Sequence, residues 1–242
     1  MAKKSSNNAV TLSAEEMAKT VGKGLSFGAS EAYKLLRANL DFSFPDSSKS
    51  KVIGVTSSLR GEAKSTTSIN LAYTIAENGK RVLLIEGDMR LPVVAKRLRL
   101  MKSPGLSDLL AGHSSGNEVL QNSGLLNNLK VITSGTIPPN PAELLDSRPM
   151  EITLQTMREY FDVIVVDLPP VTAVSDAMVV SKFLDGIVVV VRQNYCDKKS
   201  LDETVRQLRF SQAKILGFVM SDSNIQMKRY KKYSKEYHTD QD

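Results

Sequence analysis

A lysine followed by a hydroxyl residue, Lys64-Ser65, stands in the stretch TSSLRGEAKSTTSINLA (residues 56–72). An apolar run, KVIGVTSS, leads into it, and a helix-like run, STTSINLAYTIAENG, leads out. Successive main-chain N–H groups entering a helix N-terminus bind phosphate. A lysine there reaches the outer phosphates, and the hydroxyl beside it can ligate Mg²⁺. The loop pattern G-x-x-x-x-G-K-[ST] is only partly kept, with Ser58 at its first glycine and Ala63 at its second. The candidate cradle is Ser58, Gly61, Glu62, Ala63, Lys64, Ser65 and Thr66.

Two acidic strand ends complete the set. In LLIEGDMR, an apolar strand closes on Glu86 and Asp88, with Arg90 just beyond. Residues i and i+2 of an extended segment share a face, so both carboxylates can approach one metal–phosphate centre; taken alone the pair reads equally as a solvated strand end. In VIVVDLPP, an apolar run followed by Asp167 has the Walker B form, in which an aspartate holds the Mg²⁺ shell, and Pro169 and Pro170 stiffen the next loop. Asp176, in AVSDAM, reads as the cap of the following helix. Together the three elements point to Mg–ATP and to phosphoryl transfer. The catalytic candidates are Lys64, Glu86, Asp88 and Asp167. Ser65, Asp88 and Asp167 are the metal candidates, and Arg90 joins the loop as a nucleotide contact.

These loops need a scaffold that brings strand ends together. Strand candidates are 51–57, 81–88, 129–135, 161–168, 186–193 and 215–221. Helical patterns lie at 30–42, 65–77, 92–99, 105–111, 141–145, 150–159, 175–183 and 199–211. In the first, Ser30 is the expected cap and Glu31 falls in the first turn. Val/Ile-rich strands alternating with helices predict an α/β fold with a doubly wound, mostly parallel sheet, which binds ligands beyond the carboxyl ends of its strands. Residues 1–28 read as a flexible arm, 29–225 as the nucleotide-binding domain, and 226–242 as a disordered, tyrosine-rich tail.

Composition limits the alternatives. Across 242 residues, 41% are hydrophobic and 24% charged, as in a globular chain. The single cysteine, Cys196, rules out a disulfide framework and reads as an inert thiol. No apolar run approaches the roughly 20 residues of a membrane span, and no secretory signal is expected. The net charge of +6 permits nucleic acid or anionic lipid as partners without selecting either.

The motifs EAYKLLRANL, GEAKST, LLIEGDMRLP, PGLSDLLAG, SGTIPPNPAELLDS and FDVIVVDLPPV, with the C-terminal tyrosines, resemble the bacterial tyrosine kinases of capsule and exopolysaccharide synthesis. The likeness is to the free-standing cytoplasmic type and runs from about residue 30 to the end. In fold that family resembles the MinD/ParA branch of P-loop ATPases. The resemblance implies that Lys64 and Ser65 hold phosphates and Mg²⁺, that the 86/88 pair positions metal and attacking tyrosine, and that Asp167 completes the metal shell. Tyr230, Tyr233 and Tyr237 would be acceptors, phosphorylated in trans within a ring of subunits. Glu31, Lys34 and Arg37 would be the E-x-x-R-x-x-R surface joining neighbours, with lysine at its first arginine. It further implies an activating transmembrane chain-length adaptor that recruits a cytoplasmic chain to the membrane, and a phosphotyrosine phosphatase. On its residues alone the tail can also be a solvated segment or a nucleic-acid patch with interleaved aromatics. Beside the three loops it reads as the phosphoacceptor, and no nucleic-acid role is expected.

Three positions depart from the family pattern. Ala63 puts a methyl where a bare Cα closes on phosphate, with an expected loss of about 5- to 150-fold in affinity if that backbone is one only glycine adopts easily. Glu86 is one methylene longer than aspartate, and Ser221 replaces an asparagine, leaving the adenine contact open. An active kinase and a catalytically impaired scaffold of the same assembly are therefore both carried forward. A positioning ATPase of the MinD/ParA branch is disfavoured by Leu59, where that branch has a lysine, and by the tyrosine tail.

Overall fold

The computed structural model describes residues 20–44 and 49–222. Seven strands form its sheet: β1 (Lys51–Ser57), β2 (Val82–Glu86), β3 (Leu120–Asn122), β4 (Leu129–Ile132), β5 (Val163–Asp167), β6 (Gly186–Arg192) and β7 (Ile215–Ser221). Their order is β3-β4-β2-β5-β1-β6-β7, and every pair is parallel except β3 with β4. The helices are α1 (Phe27–Ser43), α2 (Lys64–Glu77), α3 (Val94–Leu98), α4 (Leu106–Leu110), α5 (Gly116–Val119), α6 (Pro141–Leu145), α7 (Arg148–Tyr160), α8 (Asp176–Val180) and α9 (Lys198–Phe210).

Alternation along the strands divides the core in two. Val52, Leu83, Ile85, Ile164, Val166, Ile187 and Val189 face one side, against Leu106, Leu145, Met150 and Leu154. Ile53, Val55, Val82, Leu84, Val163, Val165, Val188 and Val190 face the other, against Ile69, Leu71, Ala72 and Ile75 of α2. Burial on both faces explains the unbroken apolar runs, and the parallel crossovers follow from helices covering each side. The expected doubly wound α/β sheet is thus observed. Among the described residues, no helix is long and apolar enough to cross a membrane.

The structure corrects the start of the chain. Residues 20–22, read as part of a flexible arm, are held against α2: Val21 and Gly22 are buried, and Asn70 binds this segment twice, its Oδ1 accepting from the Gly22 N–H and its Nδ2 donating to the Thr20 carbonyl. α1 begins at Phe27 rather than after Ser30, and its cap is Ser26, whose Oγ accepts from the Ala29 N–H. In sequence this stretch resembles a linker, while the contacts that hold Thr20 and Gly22 come from Asn70 of α2. The short α5 and β3 were absent from the sequence reading, being too brief for any period to register. Residues 1–19 and the tyrosines at 230, 233 and 237 lie outside the described residues.

Candidate functional site

The strands β2, β5 and β1 lie side by side, and register pairs both Glu86 and Val55 with Asp167. Their carboxyl ends therefore bring the three predicted loops to one place. The loop from Ser58 to Ala63 connects β1 to α2, with Lys64 as the first residue of the helix. Gly61 has φ +88° and Ala63 has φ 68°, ψ 22°, so two left-handed residues flank Glu62 and curl the chain into a nest. Among the described residues, no main-chain N–H from Arg60 to Thr66 donates to a protein acceptor, which leaves a row of donors at a helix N-terminus.

Lys64 meets two of the three expected carboxyls, Asp88 and Asp167. The Lys64 ammonium donates to Asp88 Oδ2 at 2.7 Å and lies 3.3 Å from Ser65 Oγ. Burial alone would lower its pKa. The carboxylates of Asp167 and Asp88 outweigh that effect and hold it above the ordinary lysine value. Asp167 is fully buried. Its Oδ1 accepts from Ser68 Oγ at 3.0 Å, while its Oδ2 has no hydrogen-bond partner. Burial raises this carboxyl above the usual aspartate range, against the pull of Lys64 and the nearby hydroxyls of Ser65 and Ser68.

An unpartnered oxygen on a buried carboxyl is costly unless a cation meets it. Asp167 Oδ2, the Ser65 hydroxyl and Asp88 supply hard oxygen donors of the kind Mg²⁺ takes. No group of three His, Cys, Asp or Glu side chains gathers among the described residues. Mg²⁺ commonly uses one or two carboxylates with substrate phosphates, so this donor set fits it.

Other candidates are placed differently. Glu86 does not converge with Asp88. Its Oε1 accepts from the N–H groups of Val93 and Val94, both at 2.5 Å, and its Oε2 accepts from the Ser134 N–H at 3.2 Å. Burial raises its pKa, opposed by those main-chain bonds. The extended path ends at Glu86, and the turn after it sends the two side chains apart. Arg90 is held by Asp176, Nε and Nη2 donating to the two carboxylate oxygens at 3.0 and 3.1 Å. Asp176, expected to be a helix cap, is instead a fully buried partner of that guanidinium. Thr66 Oγ1 accepts from Arg97 Nη1 at 2.8 Å. Arg97 was not among the residues expected at the site, since it lies in the helical pattern at 92–99 with no motif around it.

The Glu62 side chain faces away from the cradle. Its Oε2 accepts from the Leu59 N–H at 2.6 Å and its Oε1 from the Arg192 N–H at 3.1 Å. Ser58 is buried, with its Oγ unpartnered and its carbonyl accepting from Thr172 Oγ1 at 2.6 Å. On α1, Glu31 pairs with Lys34 at 2.8 Å, and Arg37 Nη1 donates to the Thr74 carbonyl. A cavity of about 480 Å³ opens at the opposite end of the sheet, lined in part by Arg37, Leu40, Phe44, Lys51 and Phe161. It contains none of the candidate catalytic residues.

Residues 50–218 match the family described as an AAA domain. The tyrosine-protein kinase YwqD of Bacillus subtilis is 37% identical over 196 residues, covering 81% of this chain and 82% of that protein. The tyrosine-protein kinase CpsD of Streptococcus pneumoniae serotype 4 is 34% identical over 203 residues, covering 84% and 88%. The chain belongs to the bacterial tyrosine kinase family. The kinase domain of the Escherichia coli tyrosine kinase ETK superposes with a TM-score of 0.75 at 30% identity, over 81% of this chain and 78% of that one. The septum site-determining protein MinD of Pyrococcus horikoshii, complexed with Mg-ADP, shares the fold at a TM-score of 0.61 and 20% identity, over 72% of each chain.

In this bacterial tyrosine kinase the three departures acquire definite surroundings. Ala63 is exposed and holds the left-handed backbone that its missing glycine would adopt freely. Glu86 secures the turn carrying Asp88. Ser221 Oγ donates to the Glu62 carbonyl at 2.9 Å, which commits the residue at the expected adenine contact to bracing the loop.

Proposed function

We propose that the chain transfers the γ-phosphoryl group of Mg–ATP to protein tyrosine, its own Tyr230, Tyr233 and Tyr237 included, in trans between neighbouring copies. The observation that carries this is the unpartnered Asp167 Oδ2 beside the Lys64–Asp88 pair, at the mouth of a loop with undonated N–H groups. Ser65, Asp88 and Asp167 would hold Mg²⁺, which when bound neutralises charge across the phosphates. The N–H groups of residues 60–66 would fix the phosphates. Lys64, charged at neutral pH, would offset the negative charge that the outer phosphate oxygens carry in the transition state. Glu86 acts by fixing the turn that presents Asp88, and Arg90 is spent on Asp176. Of the 86/88 pair, Asp88 is the member bonded to Lys64, and Asp167 stands beside it as the second carboxyl acting on that ammonium.

The same reading places the chain in capsular or exopolysaccharide synthesis and export. It would be a cytoplasmic subunit of a ring, recruited to the membrane by a transmembrane adaptor with an activating tail and reset by a phosphotyrosine phosphatase. A catalytically weak scaffold is the second reading, favoured by the left-handed Ala63 and the fully bonded Glu86.

Intact-mass spectrometry after incubation with Mg–ATP and the adaptor tail separates the two. Stepwise phosphate additions mapping to Tyr230, Tyr233 and Tyr237 are expected. A native protein that binds Mg–ATP, assembles, and gains no phosphate is the scaffold.

A further inference from the structure

The outer side of the phosphate loop is held by three successive carbonyls. The Arg60 carbonyl accepts from Tyr195 Oη at 2.9 Å, the Gly61 carbonyl from Arg192 Nη1 at 3.4 Å, and the Glu62 carbonyl from Ser221 Oγ at 2.9 Å. With the carbonyls drawn outward, the peptide planes turn their N–H groups to the other side. Arg192 is central to this brace. Its own N–H donates to Glu62 Oε1, its guanidinium stacks over Tyr195 at 5.3 Å from the ring centroid, and Nε and Nη2 donate to Asp222 Oδ2 at 3.2 and 3.0 Å. One guanidinium thus ties β6 to the loop and to Asp222, the last described residue before the tyrosine-bearing segment.

We infer that Arg192 is a positioning residue for nucleotide binding: its guanidinium acts on the Gly61 carbonyl directly, and on the Arg60 carbonyl through Tyr195, to hold the loop, with Ala63 left-handed, in the phosphate-binding shape. This deepens the proposed Mg–ATP site and rests on it. The physical reason lies in Ala63. An alanine prefers to leave the left-handed region, and the loop as a whole must prevent it. Without the guanidinium the loop relaxes, and nucleotide must then restore the strained form at its own expense. A glycine at 63 has no such preference, so it removes most of the need for the brace.

The experiment is a double-mutant cycle on the full chain, read by direct binding of Mg–ATP and by amide hydrogen exchange at residues 60–66 without nucleotide. Arg192→Ala is expected to weaken Mg–ATP binding about tenfold and to speed exchange in the loop. In an Ala63→Gly background the same change is expected to cost under about threefold. Arg192→Lys, which keeps charge but loses the fork, falls between native and alanine. A merely structural role would lower thermal stability equally in both backgrounds and leave affinity unmoved. Arg192→Ala binding Mg–ATP within twofold of native, or losing tenfold in both backgrounds, overturns the inference alone. A native chain that binds no Mg–ATP overturns the reading of the site and this inference with it.

Discussion

Replacing Ala63 by glycine should stabilise the unliganded protein and leave its affinity for Mg–ATP nearly unchanged. A left-handed L-residue costs about 1–2 kcal/mol. Glycine returns that strain but adds freedom to the unfolded chain worth roughly 0.4–1 kcal/mol. The Ala63 side chain is exposed, so its removal sacrifices little packing. The net expectation is a gain of about 0.5–1 kcal/mol in urea unfolding without nucleotide. Binding should shift less than about threefold, because protein groups, Tyr195, Arg192 and Ser221, hold the three carbonyls that lead into residue 63. The strain is then met during folding and appears in both free and bound states. Gln212→Gly is the control: it too is exposed with positive φ, at 58°, but lies beyond the end of α9, so it should gain stability with no change in binding. Calorimetric binding and urea midpoints on the three proteins suffice. An unstabilised Ala63→Gly protein, or one that binds tenfold tighter than native, would refute the reasoning, since strain would then be imposed by the nucleotide.

Further outcomes follow from the buried carboxyls. Because the folded-state pKa of Asp167 is raised, the folded protein binds more protons than the unfolded one between the ordinary aspartate range and that raised value, so stability falls as pH rises through this window. Asp167→Asn should flatten that part of the pH–stability curve, stabilise the unliganded protein above it, and abolish Mg–ATP binding. Arg90→Ala leaves the buried Asp176 carboxylate unpaired and should cost about 2–3 kcal/mol, below the full figure for a buried pair because the guanidinium is 40% exposed. Asp176→Asn should recover part of that loss, and Mg–ATP affinity should change little in either protein. Glu86→Ala strands the N–H groups of Val93, Val94 and Ser134 and should lower stability by about 3 kcal/mol in urea unfolding. Glu86→Asp, one methylene short of those donors, should also be destabilised and should not transfer phosphate faster than native.

How much of this was legible depended on whether a residue's partner was implied by its neighbours. The strands of the central sheet were, because burial on both faces writes a continuous Val/Ile run into the local sequence. So was the meeting of Lys64, Asp88 and Asp167, since each closes a strand or opens a helix at the same edge of one sheet. The directions of Glu62 and Glu86 were not. Glu62 is defined by an N–H at Arg192 and Glu86 by one at Ser134, and nothing near either glutamate marks those partners. The sequence assigned both to the ligand because an acidic residue beside a phosphate loop has a ready chemical role, whereas a carboxylate that gathers main-chain N–H groups leaves no motif.

Ala63 shows the same limit in energetic form. From sequence, the missing glycine reads as a penalty on binding. In the structure residue 63 is left-handed, and the three carbonyls before it are restrained on their outer side by Tyr195, Arg192 and Ser221. A loop held by side chains from the far end of the chain can carry a strained residue that a free loop could not. The cost of a departed motif residue is therefore set by what grips the backbone around it, and in this kinase that grip comes from Arg192 at the end of β6, Tyr195 just beyond it and Ser221 at the end of β7.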